Sequence, residues 1–586
     1  MAEKIILDVE TQSISDFTSA AKKAKAMGAT HMTVGHLPRS RWMWELDLSD
    51  PYPNWCMRHT PLFKLICPPE LEKYLPVPFI TRCLSIVKSR CDILNSLGMR
   101  GALFSNEPFW LPEDVYLDHP SWRGARCDHP RRSKRAYYSP CVDNPEVLAM
   151  YRKAVKDLVH RTGIDFISFK SNDAGGGICW SGGTYVGPNG PEICKNRSMS
   201  DRVNGFLNAL ISGGKDAGVD LTVSFNANLP FKAPEPGVAE AWRNADNNCI
   251  INGRDNKGED PLFLQMGNLE WIRGIPNIFG LAQAWGAAFS SDKRIIAVQL
   301  TETDFGENWK YLENYISGMP STVKDCMDGV YQTVKQISDG DCADLLNDTF
   351  YYISEGEFHF SHDGLGLIMH GVVHQRWINR PFVLFPEELS DEERSYYRRF
   401  QFQALDEKHA NDLLDMQNIE CSRGFSAAFL LSETARKATA SFNKAISMLE
   451  KIEAKKPELK EKAALLARRL KIYNCLIKTC VNAAFFQDLA DNIDFSAEPP
   501  LECRWPTRND PRIEQFQNIT RSEIDNAYTL ADLLEGWEER IFHVTDEANE
   551  DIFLFGPNLV SQIRKKARIM LDHQLDCNRV FERNNI

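Results

Sequence analysis

One local pattern recurs four times in the first half of this chain: a helical stretch closes at a glycine, and a short apolar strand follows. The segments read AKAMGATHMTVGH, ILNSLGMRGALFSNE, VHRTGIDFISFKSND and GKDAGVDLTVSFNAN. Helices often end in a left-handed residue, and glycine adopts that conformation at no steric cost. The pattern therefore predicts repeated helix-to-strand units that turn at Gly28, Gly98, Gly163 and Gly218.

Strands that alternate with helices form parallel sheets, because each parallel connection needs a crossover. EKIILDVE supplies an opening strand, and NNCIING, IPNIFGLAQ and RIIAVQLTETD would complete a set of eight. Eight units in about 310 residues fit a (β/α)₈ barrel with long loop insertions better than an open doubly wound sheet. No G-x-G-x-x-G motif follows the first strand, which argues against a dinucleotide-binding fold. We therefore predict an α/β TIM barrel over residues 1–389.

After Leu389 the alternation of strands and helices gives way to long helical segments. A long segment reads as a helical hairpin that turns at Pro457, and NLVSQIRKKARIMLDHQLDCNRVF reads as a further amphipathic helix. Apolar stripes at helical spacing are more often core than partner sites. We predict an all-α carboxyl-terminal domain over residues 390–586, with two apolar stripes formed by Phe442, Ala445, Leu449 and Ile452 and by Leu466, Leu470, Tyr473 and Ile477.

Composition narrows the function classes. The 586 residues include 80 acidic and 68 basic side chains, for a net charge of -12, which argues against nucleic-acid or anionic-membrane partners. No stretch reaches the roughly 18 apolar residues of a membrane helix, and the amino terminus does not read as a signal peptide. Sixteen cysteines without a C-x-x-C pair suggest buried thiols in a reducing cytoplasm. A homo-oligomer is left open.

Polar residues follow the apolar strands, at the end where barrel enzymes place their reactive groups. Glycoside hydrolysis needs a carboxylic acid that protonates the leaving oxygen and a second carboxylate that acts as base or nucleophile. We predict Asp173 as the general acid and Glu302 or Glu107 as the second carboxylate. His36 and Asn106 also follow strands, and the predicted sugar-binding residues are Asn172, Asn226, Asn228, Arg254, Asp304 and Trp180.

A cationic segment, SWRGARCDHPRRSKR, stands out in this acidic protein. Arginine binds carboxylates in a bidentate manner, so the segment points to an anionic sugar such as a uronic or sialic acid. The competing interpretation is a solvated face or a set of internal ion pairs. His129, within the segment, is a candidate acid or base near neutral pH. The predicted anchors are Arg123, Arg126, Arg131 and Arg132.

Metal and cofactor motifs are weak in this sequence. His370 and His374 have i, i+4 spacing, but the glutamate of an H-E-x-x-H motif is missing, so we interpret them as structural histidines. The glycines after Asp173 lack the G-K-[ST] ending of a phosphate loop. We therefore predict neither a metal nor a cofactor.

The strand ends SNEPFWLPE and SNDAGGGICWS, together with the barrel and the helical region, resemble barrel glycoside hydrolases of bacterial polysaccharide degraders. The similarity is to the alpha-glucuronidase, hexosaminidase and barrel-sialidase groups. It implies O-glycosyl hydrolysis of an oligosaccharide or glycoconjugate. Such hexosaminidases carry an adjacent Asp-Glu pair after the fourth strand, where this chain has Asn172 and Asp173, and some barrel sialidases use a histidine with an aspartate, which would fit His129.

These features predict an exo-acting glycoside hydrolase that removes a terminal acidic sugar. Three alternatives stay open: a hexosaminidase-like hydrolase of neutral or N-acetylated sugars, a non-catalytic carbohydrate-binding barrel, and a uronic-acid lyase or isomerase with a Lys, Tyr or His base.

Overall fold

The computed structural model describes most of the chain between residues 3 and 581. The described ranges are 3–9, 11, 13–26, 28–37, 60–126, 136–170, 192–226, 240–256, 262–265, 272, 274–280, 294–300, 323–338, 340–362, 377–401, 425–493, 511–542 and 558–581. Contacts divide the chain into two compact units, 1–267 with 281–327 and 268–280 with 328–586. The boundary expected near residue 390 stays a prediction, and these units divide the chain at other positions.

Ten strands are described: β1 (Lys4–Val9), β2 (His31–Thr33), β3 (Arg100–Asn106), β4 (Arg123–Arg126), β5 (Tyr138–Pro140), β6 (Phe166–Lys170), β7 (Thr222–Asn226), β8 (Cys249–Ile251), β9 (Leu262–Gln265) and β10 (Ile295–Leu300). Strands β4 and β5 form a separate antiparallel pair within the insertion that follows β3. The other eight form one parallel sheet in the order β8-β7-β6-β3-β2-β1-β10-β9. The first strand of the chain, β1, pairs with the last, β10. When the sheet is followed around as a ring, its eight strands therefore succeed one another in chain order. That is the topology of a (β/α)₈ barrel, and the predicted fold class is confirmed.

The helices of the first unit are α1 (Ile14–Ala26), α2 (Val77–Ser96), α3 (Glu113–Asp118), α4 (Pro145–Thr162) and α5 (Met199–Asp216). Short 3₁₀ turns lie at Leu62–Lys64, Pro69–Leu71, Pro120–Trp122 and Ala241–Asn244. The four predicted glycine turns are confirmed: each glycine has a positive φ, between 69° and 78°, next to the end of a helix. Leucines, valines and aromatics on the inner helix faces pack on the outside of the sheet, among them Phe17, Val87, Tyr151 and Phe206.

Two local sequence predictions were wrong. IPNIFGLAQ is not the seventh strand, which lies earlier at Leu262–Gln265; the Asn277 side chain instead accepts a hydrogen bond from the Gly280 N–H and starts a helical turn. Asp143 and Glu146 have the sequence spacing of a capping box, which predicts Asp143 as the cap of α4, but Asp143 does not cap this helix. That cap is Asn144, whose side chain accepts from the Glu146 and Val147 N–H groups, while Asp143 binds two arginines.

A second, smaller apolar cluster marks the inside of the barrel. It combines residues from five strands: Ile6, Ala102, Phe166, Ile250, Ile295 and Ala297. Successive strand residues face opposite sides, so residues two positions away share a face. Asp8 therefore shares the inner face with Ile6, and Asn106 shares it with Ala102.

The amino-terminal end of the barrel holds a polar network centred on Asp165. His31 Nε2 lies 2.8 Å from the Asp165 carboxylate, and Lys4 and Arg100 approach it to 3.2 and 3.3 Å. Burial alone would raise the pKa of Asp165, but its hydrogen bond with His31 and the charge of Lys4 bring that pKa below its usual value. The network is structural, because barrel active sites lie at the opposite end.

From residue 323 onward the described elements are helices and 3₁₀ turns, which confirms the predicted all-α character of residues 390–586 for the part that the structure describes. They are α6 (Val323–Ile337), α7 (Ala343–His362), α8 (Asp391–Arg398), α9 (Phe425–Lys455), α10 (Lys460–Asp491), α11 (Pro511–Leu534), α12 (Glu538–Ile541), α13 (Leu559–Asp572) and α14 (Asp576–Phe581), with 3₁₀ turns at Pro386–Glu388 and Pro457–Leu459. The predicted hairpin is α9 and α10, which turn at Pro457. Its stripes are buried except for Leu466, which is half-buried. None of the helices described could cross a membrane.

The helical unit contains a fully buried ion pair. Lys566 Nζ on α13 lies 2.6 Å from a Glu523 carboxylate oxygen on α11 and donates to the Trp377 carbonyl at 2.8 Å. Thr479 and Asn482 on α10 donate to the same carboxylate, each at 2.8 Å. Each ion of the pair thus has an opposite charge and at least one neutral hydrogen-bond partner, which a buried pair requires.

Candidate functional site

Polar residues occupy the carboxyl ends of several barrel strands, where Asp8 and Asn106 share the inner face of the sheet with the apolar inner cluster. The ladders pair Asp8 with Gln299, Asn106 with Lys170, and Lys170 with Asn226. Asp8 comes two residues after Ile6 of the apolar inner cluster, and all of these positions lie at or next to the carboxyl ends of their strands. Enzymes with this fold carry their reactive groups there, so this end of the barrel is the candidate active site.

The best-defined part of the site is a histidine and carboxylate pair. His36 follows β2, and its Nε2 lies 2.5 Å from Asp8 Oδ1 on the neighbouring strand β1. The Thr33 hydroxyl donates to the same oxygen at 2.7 Å. The Asp8 side chain is 2% exposed and the His36 side chain 11% exposed, so the imidazole is the more accessible partner.

Buried groups on the outer side of the sheet hold the segment that carries His36. The Arg90 guanidinium, on α2, donates to the carbonyls of Val34 and His36 and to the Thr11 carbonyl that follows β1. The Thr60 hydroxyl donates to the Gly35 carbonyl at 2.7 Å. A Cβ at Gly35 would lie 2.7 Å from Leu103 Cδ1, so a larger residue would displace the buried Leu103 side chain.

Glu107 lies near this segment but is turned away from the barrel interior. Its carboxylate accepts from the Leu62 N–H at 2.6 Å, the Ser105 hydroxyl at 2.8 Å and the Tyr151 hydroxyl at 3.1 Å, and also from the Phe109 N–H. Tyr151 belongs to α4, outside the sheet. The Ser105 hydroxyl also reaches the Thr60 carbonyl. These contacts fit an internal anchor of the loop after β2 better than a base or nucleophile that touches a sugar.

Burial raises the pKa of Glu107 to about 7, although its four donors favour the charged form. Between pH 4.5 and 7 the folded protein then holds this proton more tightly than the unfolded chain, so its stability falls as the pH rises. The loss amounts to roughly 3 kcal/mol over that interval. We expect Glu107→Gln to remove this part of the slope when the free energy of unfolding is measured against pH. Parallel wild-type and variant curves would contradict the assignment.

Arg123 is held within the insertion after β3. Its guanidinium pairs with Glu113 and lies over the rings of Tyr138, at 4.5 Å, and Tyr116, at 5.5 Å. This is the internal ion pair that the sequence left open as the competing interpretation. The side chain stays 38% exposed. Arg123 thus has its charge compensated by its own loop.

Arg254 lies just beyond β8 and is exposed, with its guanidinium 5.9 Å from the ring of Trp242. Trp242 is half-buried, and the guanidinium of Arg243 also lies over its ring, at 5.3 Å. Trp110, by contrast, is buried against Phe109 and Tyr137 and forms part of the core.

The remaining predicted site residues stay predictions. The side chains of Arg126 and Asn226 are not described, although both residues belong to strands. The predicted residues that fall outside the described ranges are Asp173, Glu302, His129, Arg131, Arg132, Asn172, Trp180, Asn228 and Asp304, and so do His370 and His374. No group of three or more His, Cys, Asp or Glu residues suited to a metal ion occurs in the described ranges.

The sequence placed His36 at the end of the second strand without a specific role, and it did not single out Asp8 or Arg90. A signal for Asp8 was present, because an acidic residue interrupts the apolar run of the opening strand. Buried charges in strands are rare unless they are paired. No local pattern identified Arg90, since its carbonyl partners lie on two distant segments.

The chain resembles known proteins only distantly among the solved structures compared with it. No family model and no curated protein matches the chain. Among solved structures, a GH138 enzyme targeting the pectin rhamnogalacturonan II is 9% identical, with a TM-score of 0.49 over 99% of this chain and 69% of its own. A chitobiase of Flavobacterium johnsoniae is 11% identical, with a TM-score of 0.31 over 97% and 78% of the two chains. A GH36 alpha-galactosidase of Geobacillus stearothermophilus is 12% identical, with a TM-score of 0.32 over 54% of this chain and 41% of its own.

Proposed function

We propose that this protein is a glycoside hydrolase that works at the carboxyl ends of the barrel strands. The observation that carries the proposal is the polar layer above the apolar inner cluster, where the Asp8 and His36 pair and Asn106 are placed. Carboxylates and amides at such a mouth bind sugar hydroxyls and supply acid and base. The substrate is an oligosaccharide or glycoconjugate.

Two carboxylates from the sequence analysis carry the chemistry in this proposal. Asp173 comes three residues after the end of β6, and Glu302 comes two residues after the end of β10. Asp173 is the general acid that protonates the leaving oxygen, and Glu302 is the base or nucleophile. Glu107 supports the loop after β2 and takes no part in bond cleavage.

The proposed substrate carries a terminal acidic sugar, and the enzyme releases it from the chain end. Arg254, exposed at the end of β8, supports this choice because a guanidinium binds a sugar carboxylate. Arg126, Arg131 and Arg132 are the further proposed anchors. Arg123 contributes less, since Glu113 already compensates its charge.

A panel of 4-nitrophenyl glycosides tests the proposed function. We expect release of nitrophenol from a glucuronide or sialoside, with smaller or no release from neutral hexosides and N-acetylhexosaminides. Added salt should raise KM, because the arginine and carboxylate attraction is screened. A uronic-acid lyase would instead give an unsaturated product that absorbs in the ultraviolet. Binding without turnover of any substrate would leave a carbohydrate-binding barrel and overturn the hydrolase assignment.

A further inference from the structure

We propose that the Asp8 and His36 pair contacts the bound sugar and that Arg90 is the positioning residue that holds the pair in place. This inference rests on the proposed function, because it assigns roles within the same barrel mouth. It names residues that the predicted carboxylate chemistry did not use.

The pair has the geometry of an oriented imidazole. A carboxylate bound to one ring nitrogen fixes the orientation of a histidine and the tautomer that it presents. Asp8 does this from the inner face of β1, while Thr33 fixes Asp8 itself. The partial exposure of the imidazole, against the nearly complete burial of Asp8, makes His36 the member that a ligand can reach.

Arg90 couples the two strand ends that carry the pair. Arg90 is 2% exposed, and its guanidinium spans the segments after β1 and β2, with donor distances of 3.2 Å to Thr11 O and 3.0 Å to Val34 O. The rigid planar fork of arginine can serve several carbonyls at once, whereas the ammonium of a lysine cannot reproduce that geometry. Charged groups that face His36 thus include Asp8 from β1 and Arg90 from α2.

The same strand offers a matched control. His31 lies at the other end of β2, and its Nε2 meets the Asp165 carboxylate at 2.8 Å. Both histidines are largely buried and carboxylate-bound, but His31 faces the amino-terminal end of the barrel. Of these two histidines, we therefore expect only His36 to affect kcat/KM.

The kinetic test compares His36→Gln, Arg90→Lys and His31→Gln on the 4-nitrophenyl glycoside that the wild type turns over. We expect His36→Gln to lower kcat/KM by about 10- to 100-fold, the size of a lost hydrogen bond that involves a charged group. Arg90→Lys should lower kcat/KM by about tenfold and move a limb of the pH profile, since the imidazole loses its fixed position. His31→Gln should lower Tm and leave the pH profile unchanged. Equal losses of kcat/KM in His36→Gln and His31→Gln would overturn the inference.

A binding test separates this inference from the proposed hydrolysis. In protein labelled with ¹⁵N-histidine, D-glucuronic acid or N-acetylglucosamine should shift the His36 ring signals and leave those of His31 in place. If such a shift occurs but no glycoside is cleaved, the pair stands as a sugar contact and the hydrolase assignment fails. If cleavage occurs while His36→Gln keeps full kcat/KM and neither sugar shifts His36, the pair is structural and hydrolysis stands. The absence of both cleavage and shift overturns the inference as well.

Discussion

Replacement of Asp173 by Asn is expected to lower kcat by about 10²- to 10⁴-fold, the usual contribution of a general acid. The amide keeps the size and the hydrogen-bonding capacity of the carboxyl group but has no proton to give to the leaving oxygen. Substrates with a good leaving group, such as 4-nitrophenyl glycosides, need less protonation, so the loss should be larger for a natural alkyl-linked oligosaccharide. The measurement is kcat for both substrate types.

A matched control separates chemistry from folding. Asp216, at the end of α5, pairs with Arg152 at 2.6 Å on the opposite side of the barrel from the strand carboxyl ends. Asp216→Asn removes an ion pair and should leave kcat unchanged. An Asp173→Asn protein with wild-type Tm and wild-type kcat would remove Asp173 from the mechanism.

Substitution of Lys566 by Met is expected to destabilise the helical unit by about 3–5 kcal/mol, because it leaves the Glu523 carboxylate buried without its countercharge. Burial lowers the pKa of Lys566, while the charge of Glu523 opposes that change, so the two ions depend on each other. Thr479 and Asn482 would still donate to the carboxylate, but neutral donors do not neutralise it. Denaturant unfolding with circular dichroism at 222 nm measures the change.

The neighbouring lysine provides the comparison. Lys565 pairs with Glu392 at 2.8 Å, and its partner's side chain is 84% exposed. Exposed pairs contribute about 0–1 kcal/mol, so Lys565→Met should have little effect. The double variant Lys566→Met with Glu523→Gln should recover part of the loss, since no unpaired charge remains. If Lys565→Met and Lys566→Met lowered the free energy of unfolding equally, burial would not be what makes the Lys566 and Glu523 pair important.

Local chemistry accounts for what the sequence predicted correctly. A positive φ at Gly28 or Gly163 depends on a few neighbouring residues, and the apolar stripe around Phe442 repeats within one helix. Eight strand units that alternate with helices together predicted the barrel. The polar residues at the carboxyl ends of the strands could be predicted from the fold, because all parallel strands end on the same side of the sheet.

The site depends on which side of the sheet each side chain faces and on contacts with residues far away in the chain. The sequence reveals neither directly. Glu107 was predicted as catalytic because it follows a strand, yet it adjoins the inward-facing Asn106 and turns outward to Tyr151. Asp8 lay inside a strand and not after one. Asp143 had the spacing of a cap, but Arg202, 59 residues later, binds it.

The pairing of β1 with β10 has a consequence for how the protein is made. Partner residues such as Lys4 and Ile295 are separated by about 290 residues of chain. At roughly 5–20 residues per second, a ribosome needs about 15–60 s to bring the second strand out after the first. During translation, one edge of β1 lacks its final neighbour, and an unpaired strand edge invites association with other chains. Nascent chains that stop before residue 295 should therefore need a chaperone, and chains that extend beyond residue 300 should need it less.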